Sequence, residues 1–191
     1  APKRMPRRTL ITANGPASPG SSAGTLLRRA PVTLALVSMV SGQFVMVLVM
    51  TMTPVHIRHE GYGLGAIGLV ISAHTLGMFG LSPITGKLAD RFGRVQVLAA
   101  GVAVLVLACL SAVTAAWSTS YPLMVLSLFL LGVGWNLGFV AGSALLTDSV
   151  PHDDRTRVQG LGDTMIWSGG AVASVASGWM LARVGFAGLS V

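Results

Sequence analysis

The chain is short of charge, and of negative charge above all. Asp, Glu, Lys and Arg make up 10% of its 191 residues, and only six residues are acidic. A typical soluble domain carries about 25% charged residues, so a soluble fold of this length would lack the polar surface it needs. Hydrophobic residues are 52% of the chain and mean hydropathy is +0.73, which reads as an all-α, polytopic transmembrane helix bundle. A lone cysteine, Cys109, excludes an internal disulfide, and its apolar neighbours make it a small core residue. No Cys/His cluster offers metal ligands, and no Ser or Cys has an evident base and orienting group, so no catalytic residue, metal or cofactor is expected. The net charge of +7 would point to nucleic acid in a soluble chain. Here the basic residues gather in loops and a tail rather than on one face, which argues against nucleic acid as a partner.

What the chain does have is long charge-free runs. A helix needs about 20 apolar residues to cross the hydrocarbon core, and the runs predict spans at 31–53, 64–85, 96–117, 123–147 and 163–181. The third and fourth are split because one helix over 95–147 would be about 80 Å long, and Ser118-Thr119-Ser120-Tyr121-Pro122 supplies a turn. Pro83 is expected to bend the last turn of the second span, and residues 184–191 read as the start of a further helix. Residues 1–29 hold Lys3, Arg4, Arg7, Arg8, Arg28 and Arg29 with no acidic residue, the composition of a disordered basic tail or linker, with an organelle transit peptide as the lesser reading. Residues 30–191 are then the bundle.

Two polar stretches separate the runs on one side, residues 86–94 and 148–157. With the tail they hold all thirteen Lys and Arg residues except Arg58 and Arg183, so the positive-inside rule makes this side cytoplasmic, in a cell membrane. Tyr62, Trp117, Tyr121 and Trp179 collect near span ends on the other side, as an aromatic belt does. Gly134, Gly138 and Gly142 recur every four residues, as do Gly170, Ser174 and Gly178; small residues so spaced let helices approach closely in lipid.

Two nucleotide-like patterns fail on context. Gly63-Leu64-Gly65-Ala66-Ile67-Gly68 fits G-x-G-x-x-G but opens a membrane helix with no strand before it, and Gly80 to Lys87 has one residue too many for a phosphate loop. The stretch Gly86-Lys87-Leu88-Ala89-Asp90-Arg91-Phe92-Gly93-Arg94 is different. It closely resembles the signature loop of the major facilitator superfamily, G-x-L-a-D-R-x-G-R-[RK], with Val95 where a further basic residue often stands. Asp148, Pro151, Arg155 and Arg157, followed by Gln159-Gly160, resemble that family's link between the fourth and fifth helices of a half. The resemblance implies part of a six-helix half. Which half it is rests on two opposed signs, and the reading taken is the C-terminal half: the strength of the signature favours the N-terminal one. Thr51 to His56, Leu81-Ser82-Pro83 and Gly142 to Thr147, with a basic lead-in starting at Ala1, favour the C-terminal half of an actinobacterial-type member.

The resemblance further implies a secondary transporter of small molecules working by alternating access against a missing half, with proton-coupled efflux as the family mode. Gly86, Asp90, Arg91, Gly93 and Arg94 would form a cytoplasmic gate in which Asp90 faces a helix N-terminus or Arg94, and Arg94 or Arg91 reaches Asp148; Arg155 and Arg157 are further gate partners. Within the spans, Gln43, His74, Asn136 and Asp163 are the polar groups that face a cavity or a neighbouring helix, with Asp163 expected at the cytoplasmic mouth, where a negative charge suits a helix N-terminus. His74 either carries a coupling proton or is a neutral imidazole bonded to the next helix. The substrate is not legible beyond a small molecule that is neutral, lipophilic or weakly cationic. A non-transporting scaffold or sensor on the same bundle is the alternative.

Overall fold

The computed structural model describes residues 23–190. Its elements are α1 (Ala23–Leu27), α2 (Ala30–His59), α3 (Leu64–Phe79), α4 (Ser82–Phe92), α5 (Arg94–Ser118), α6 (Tyr121–Asp148), a 3-10 turn at His152–Asp154, and α7 (Arg155–Leu189). Among the described residues, five segments are long and apolar enough to cross a membrane: Ala30–His59, Leu64–Phe92, Arg94–Ser118, Tyr121–Asp148 and His152–Leu189. Helices suit that environment because each bonds its own backbone, leaving no polar group to face hydrocarbon. The fold is an all-α membrane bundle.

α6 is the central post. It packs against α5, α3 and α2, while α7 lies along α2. The main core gathers Met46, Val49 and Ile57 of α2, Ala108 and Ala112 of α5, and Leu128, Leu131 and Trp135 of α6. The outer faces stay apolar: Leu64 and Leu76 of α3, and Val172, Val175 and Trp179 of α7, are all more than 60% exposed. In water this would be a liability; on a membrane bundle it is the surface offered to lipid or to further helices.

Several boundaries differ from the sequence expectation, each for a local reason. α2 runs through Pro54 to His59. The second span breaks earlier than Pro83 suggests: α3 ends at Phe79, and Pro83 falls in the first turn of α4, where its missing N–H costs nothing. Charged residues 87–92 are helical rather than a loop, so Gly93 alone joins α4 to α5. α7 begins at Arg155, not near Asp163, and continues past Leu181. At Gly185 (φ 69°) it kinks, and Phe186 then stacks on His56 with ring centroids 4.3 Å apart, so residues 186–189 close onto the bundle. Of the segment read as a free tail, residues 1–22 lie outside the described residues. The remainder forms α1, whose Leu26 is fully buried with Val150 and Val158, and Arg29 Nη1 donates to the Ser149 carbonyl at 3.4 Å.

The small residues divide. A Cβ on Gly134 would meet Leu105 and the Gly101 carbonyl of α5, one on Gly142 would meet Met39 of α2, and one on Gly170 would lie 3.1 Å from Gln43 Nε2. Gly138 supplies the backbone nitrogen that a Cβ on Gly101 would strike at 2.8 Å. Ser174 and Gly178 turn outward instead and are exposed; the buried face of α7 passes through Gly170, Ala173 and Ser177. The closest approach was not visible in the spacing. A Cβ on Gly77 would sit 2.5 Å from the Phe129 carbonyl oxygen, and one on Gly132 would run into the His74 carbonyl. α3 and α6 therefore meet backbone to backbone, which only glycine permits.

Candidate functional site

The signature residues sit where α4, α5 and α6 end together. Gly93 makes the turn possible: its φ of 95° lies where side chains are disfavoured, its N–H donates to the Ala89 carbonyl, and its own carbonyl receives the Val97 N–H. The next residue, Arg94, is thereby the first of α5 and faces two carboxylates at once. Its Nη1 pairs with Asp90 of α4, and its Nε reaches Oδ2 of Asp148, the last residue of α6, at 3.2 Å. One guanidinium thus ties α4, α5 and α6 at a single end of the bundle. A forked, always-charged guanidinium suits this bridging role better than an ammonium would.

The other signature residues are not drawn in. Arg91 is exposed with its guanidinium 5.3 Å from the Phe92 ring centroid, and Gly86 lies inside α4 with open space around it, so it makes no turn. Arg155 Nε donates to the Val150 carbonyl at 3.3 Å, tightening its own loop, and Arg157 is exposed with no ion pair among the described residues.

Above that end, α6 is bonded to the α3–α4 span at three levels. Tyr121 Oη donates to the Ala66 carbonyl at 2.9 Å, and His74 Nδ1 lies 2.9 Å from the Leu128 carbonyl. A carbonyl only accepts, so Nδ1 carries the proton, and Nε2 is left as a buried atom without a partner among the described residues. The third level is Asn136, 1% exposed, whose Nδ2 donates to the Met78 carbonyl (2.6 Å) and to Ser82 Oγ (2.7 Å), while its Oδ1 accepts from Thr85 Oγ1 (2.5 Å). These three partners bracket the α3–α4 break between Phe79 and Ser82. Asn136 thus patches a broken helix from its neighbour. Thr85 was not singled out in the sequence, and Ser82 only within the Leu81-Ser82-Pro83 likeness, although two hydroxyls flanking a mid-span proline are a readable sign of such a joint.

Gln43 of α2 does the equivalent across the other side of α6. Its Oε1 accepts from Trp135 Nε1 at 2.8 Å, and Trp135 is stacked on Phe139, with ring centroids 4.7 Å apart, and meets Phe79 edge-on at 6.2 Å. Asp163 stands apart from all of these. It lines a cavity of about 260 Å³ between α2, α6 and α7, with Met39, Phe139, Ser143, Gln159 and Ile166 among its walls. A larger gap of about 470 Å³ between α2 and α5 is lined by residues such as Val37, Val45, Val102 and Cys109, and carries no charged group. Among the described residues, no His/Cys/Asp/Glu group could hold a metal ion.

Comparison with known proteins agrees with the arrangement of helices and the signature. The profile of the Major Facilitator Superfamily matches residues 34–190. Two similar proteins of Bacillus subtilis are the uncharacterized MFS-type transporters YddS, 39% identical over 90% of this chain and 39% of its own length, and YdeG, 43% identical over 80% and 35%. A third, the riboflavin transporter RfnT of Brucella anthropi, is 33% identical over 87% of this chain and 41% of its own length. The chain spans less than half the length of these curated relatives, which are named as transporters and not as enzymes. With a single family profile running from the first long helix to the end of the described residues, this chain belongs to the major facilitator superfamily.

Proposed function

We propose that the chain is the gate-bearing part of a secondary transporter of small molecules, in which Arg94 with Asp90 and Asp148 holds one end of the bundle shut. The observation that carries this reading is the bridging position of Arg94, whose two ion pairs tie α4, α5 and α6 together at one end of the bundle, where a gate would act. Both carboxylates are well exposed. Such pairs contribute only about 0–1 kcal/mol each, which is the right size for a contact that must break in every cycle. It biases a two-state equilibrium rather than locking it.

In this reading the Arg94 end faces the cytoplasm and the protein sits in the plasma membrane. The skew of basic residues supports the orientation: Lys87, Arg91, Arg94, Arg155 and Arg157 lie at that end, and Arg29 reaches Ser149 there. A second bundle from the rest of the polypeptide completes the cargo path. Proton coupling and outward transport rest on the family likeness. The aromatic set of Trp135, Phe139 and Phe79 suits a flat organic cargo, in keeping with the riboflavin transporter among the relatives.

The test is transport by membrane vesicles from cells producing the full reading frame, assayed with riboflavin and a set of flat organic molecules. Arg94→Ala is expected to slow transport about fivefold, the population shift that about 1 kcal/mol produces, with the amount of protein in the membrane unchanged. A protonophore should stop accumulation if the coupling ion is the proton. Vesicles that move no solute would favour a scaffold or sensor built on the same bundle.

A further inference from the structure

We propose that α1 is a strap across the α2–α6–α7 side of the loop end, pinned by Leu26, and that the pin lifts when the Arg94 bridge opens; this rests on the gate of the transporter reading and gives it a second fastening. α1 has five residues, well under the about 12–15 that an isolated helix needs in water, so it is held by what it touches. Leu26 is fully buried in a small apolar cluster with Val32 and Leu36 of α2, Leu146 of α6, Val150 of the link that follows it, and Val158 of α7. This cluster is separate from the main core. The turn behind the pin is fastened as well: Thr33 Oγ1 donates to the Leu27 carbonyl at 2.7 Å, and the Arg29 N–H donates to the Leu26 carbonyl at 3.1 Å.

The strap is attached next to the gate. Asp148 receives Arg94, the carbonyl of Ser149 receives Arg29, and Val150 packs in the cluster of Leu26. Ser149 is also the cap of α6, its N–H donating to the Leu145 and Leu146 carbonyls. One helix end is therefore held twice, from α4 and α5 through Arg94 and from α1 through Leu26 and Arg29. Two residues span at most about 7 Å of chain, so α6 cannot carry Asp148 far from Arg94 without pulling Val150 off the pin. The cluster also adjoins the cavity of about 260 Å³ on its loop side. Leu146 belongs to both, and a Cβ on Gly162 in the cavity wall would lie 2.9 Å from Leu36 and 3.6 Å from Leu146. Leu26 thus stands beneath the cavity, between it and the loop end. A single buried leucine on a five-residue helix holds such a strap without locking it.

Thiol labelling in the full-length protein, with every native cysteine replaced by serine, tests the strap without any cargo. Leu26→Cys is compared with Arg28→Cys, an exposed position on the same segment, using a membrane-impermeant maleimide on the side that the Arg94 end faces. Leu26→Cys is expected to label at least about tenfold more slowly, because its thiol is reached only when the pin lifts. Adding Arg94→Ala should speed that labelling about fivefold and leave Arg28→Cys unchanged. Leu26→Cys labelling as fast as Arg28→Cys would overturn the proposal, since the pin would not be seated. Slow labelling that ignores Arg94→Ala would overturn it too, leaving α1 a fixed anchor. Leu26→Ala gives an independent check with the native thiols likewise removed: a reporter at Ser143→Cys should label about tenfold faster than with Leu26 in place, and Leu26→Met should restore most of the protection. An unchanged reporter rate would count against the pin. A strap that follows Arg94 in a protein whose vesicles move no solute would stand, while the transporter reading would fall.

Discussion

Gly132→Ala is expected to prevent the bundle from closing, at a cost of about 3 kcal/mol or more. Most small-to-large changes in a core cost about 1–3 kcal/mol because side chains can move aside. Here nothing can. The new methyl would collide with the His74 carbonyl, lie 2.9 Å from the Met78 nitrogen and 3.2 Å from the Gly77 carbonyl carbon, all of them backbone. α3 would have to move away from α6. That displacement would stretch the His74–Leu128 bond and the Asn136–Met78 bond together, since both cross the same interface. Gly77→Ala should behave alike, because its Cβ would strike the Phe129 carbonyl oxygen and the Val133 nitrogen. Gly178→Ala, on an exposed and open face of α7, is the control and should change little. Thermal unfolding of the detergent-solubilised protein reads all three; equal midpoints for Gly132→Ala and Gly178→Ala would refute the backbone contact.

Asn136→Ala is the second large effect, expected at about 2–3 kcal/mol. Interhelical hydrogen bonds in membrane proteins average about 0.6 kcal/mol each, so three bonds alone account for about 2 kcal/mol. The remainder comes from the Met78 carbonyl left buried without its donor. Thr85 and Ser82 soften the loss, since a hydroxyl can turn back to its own helix, as Thr51 and Thr53 do onto Val47 and Val49. Thr85→Val removes a single bond and should cost less than half as much. The local signature is faster amide exchange at residues 79–86, where α3 passes into α4. An Asn136→Ala protein with wild-type stability and unchanged exchange there would show that the joint holds without α6.

How much of this was legible in the sequence depends on what each feature rests on. Charge-free runs mark helices well because burying a charge in hydrocarbon is costly, so the centres of all five long segments were readable. Their ends were not. Residues 87–92 look like a loop because they carry three charges, yet a helix can hold charges on its last turns, which is what α4 does. Pro54 likewise looks like a stop, although α2 passes through it. The bridge of Arg94 to Asp90 came from likeness to the family, with a helix N-terminus as the other partner for Asp90, and the reach of Arg94 to Asp148, 54 residues away, came from the same likeness. A four-residue repeat gives the pitch of a packing face but not which face turns inward, hence the inward line through Ser177 rather than Gly178. Gly77 and Gly132 stand on different helices with no repeat between them, and only three-dimensional register brings them together. Gln43 and Asn136 were readable as polar groups needing partners; Trp135 and Thr85, which meet those needs, were not.

The central claim is that Arg94 holds the loop end of the bundle closed, and a cysteine placed behind it tests that most directly. Ser143 lines the cavity at that end, and Cys109→Ser, with any cysteine in the rest of the polypeptide replaced likewise, gives a background without other thiols. In the full-length protein, the rate at which a membrane-impermeant maleimide labels Ser143→Cys from the side that the Arg94 end faces reports how often that end opens. The account predicts labelling about fivefold faster when Arg94→Ala is added, and a return toward the original rate when Arg94 is restored. Labelling that is equally fast with and without Arg94 would contradict it, and would leave the Asp90–Arg94–Asp148 bridge as a fixture of the turn rather than a gate.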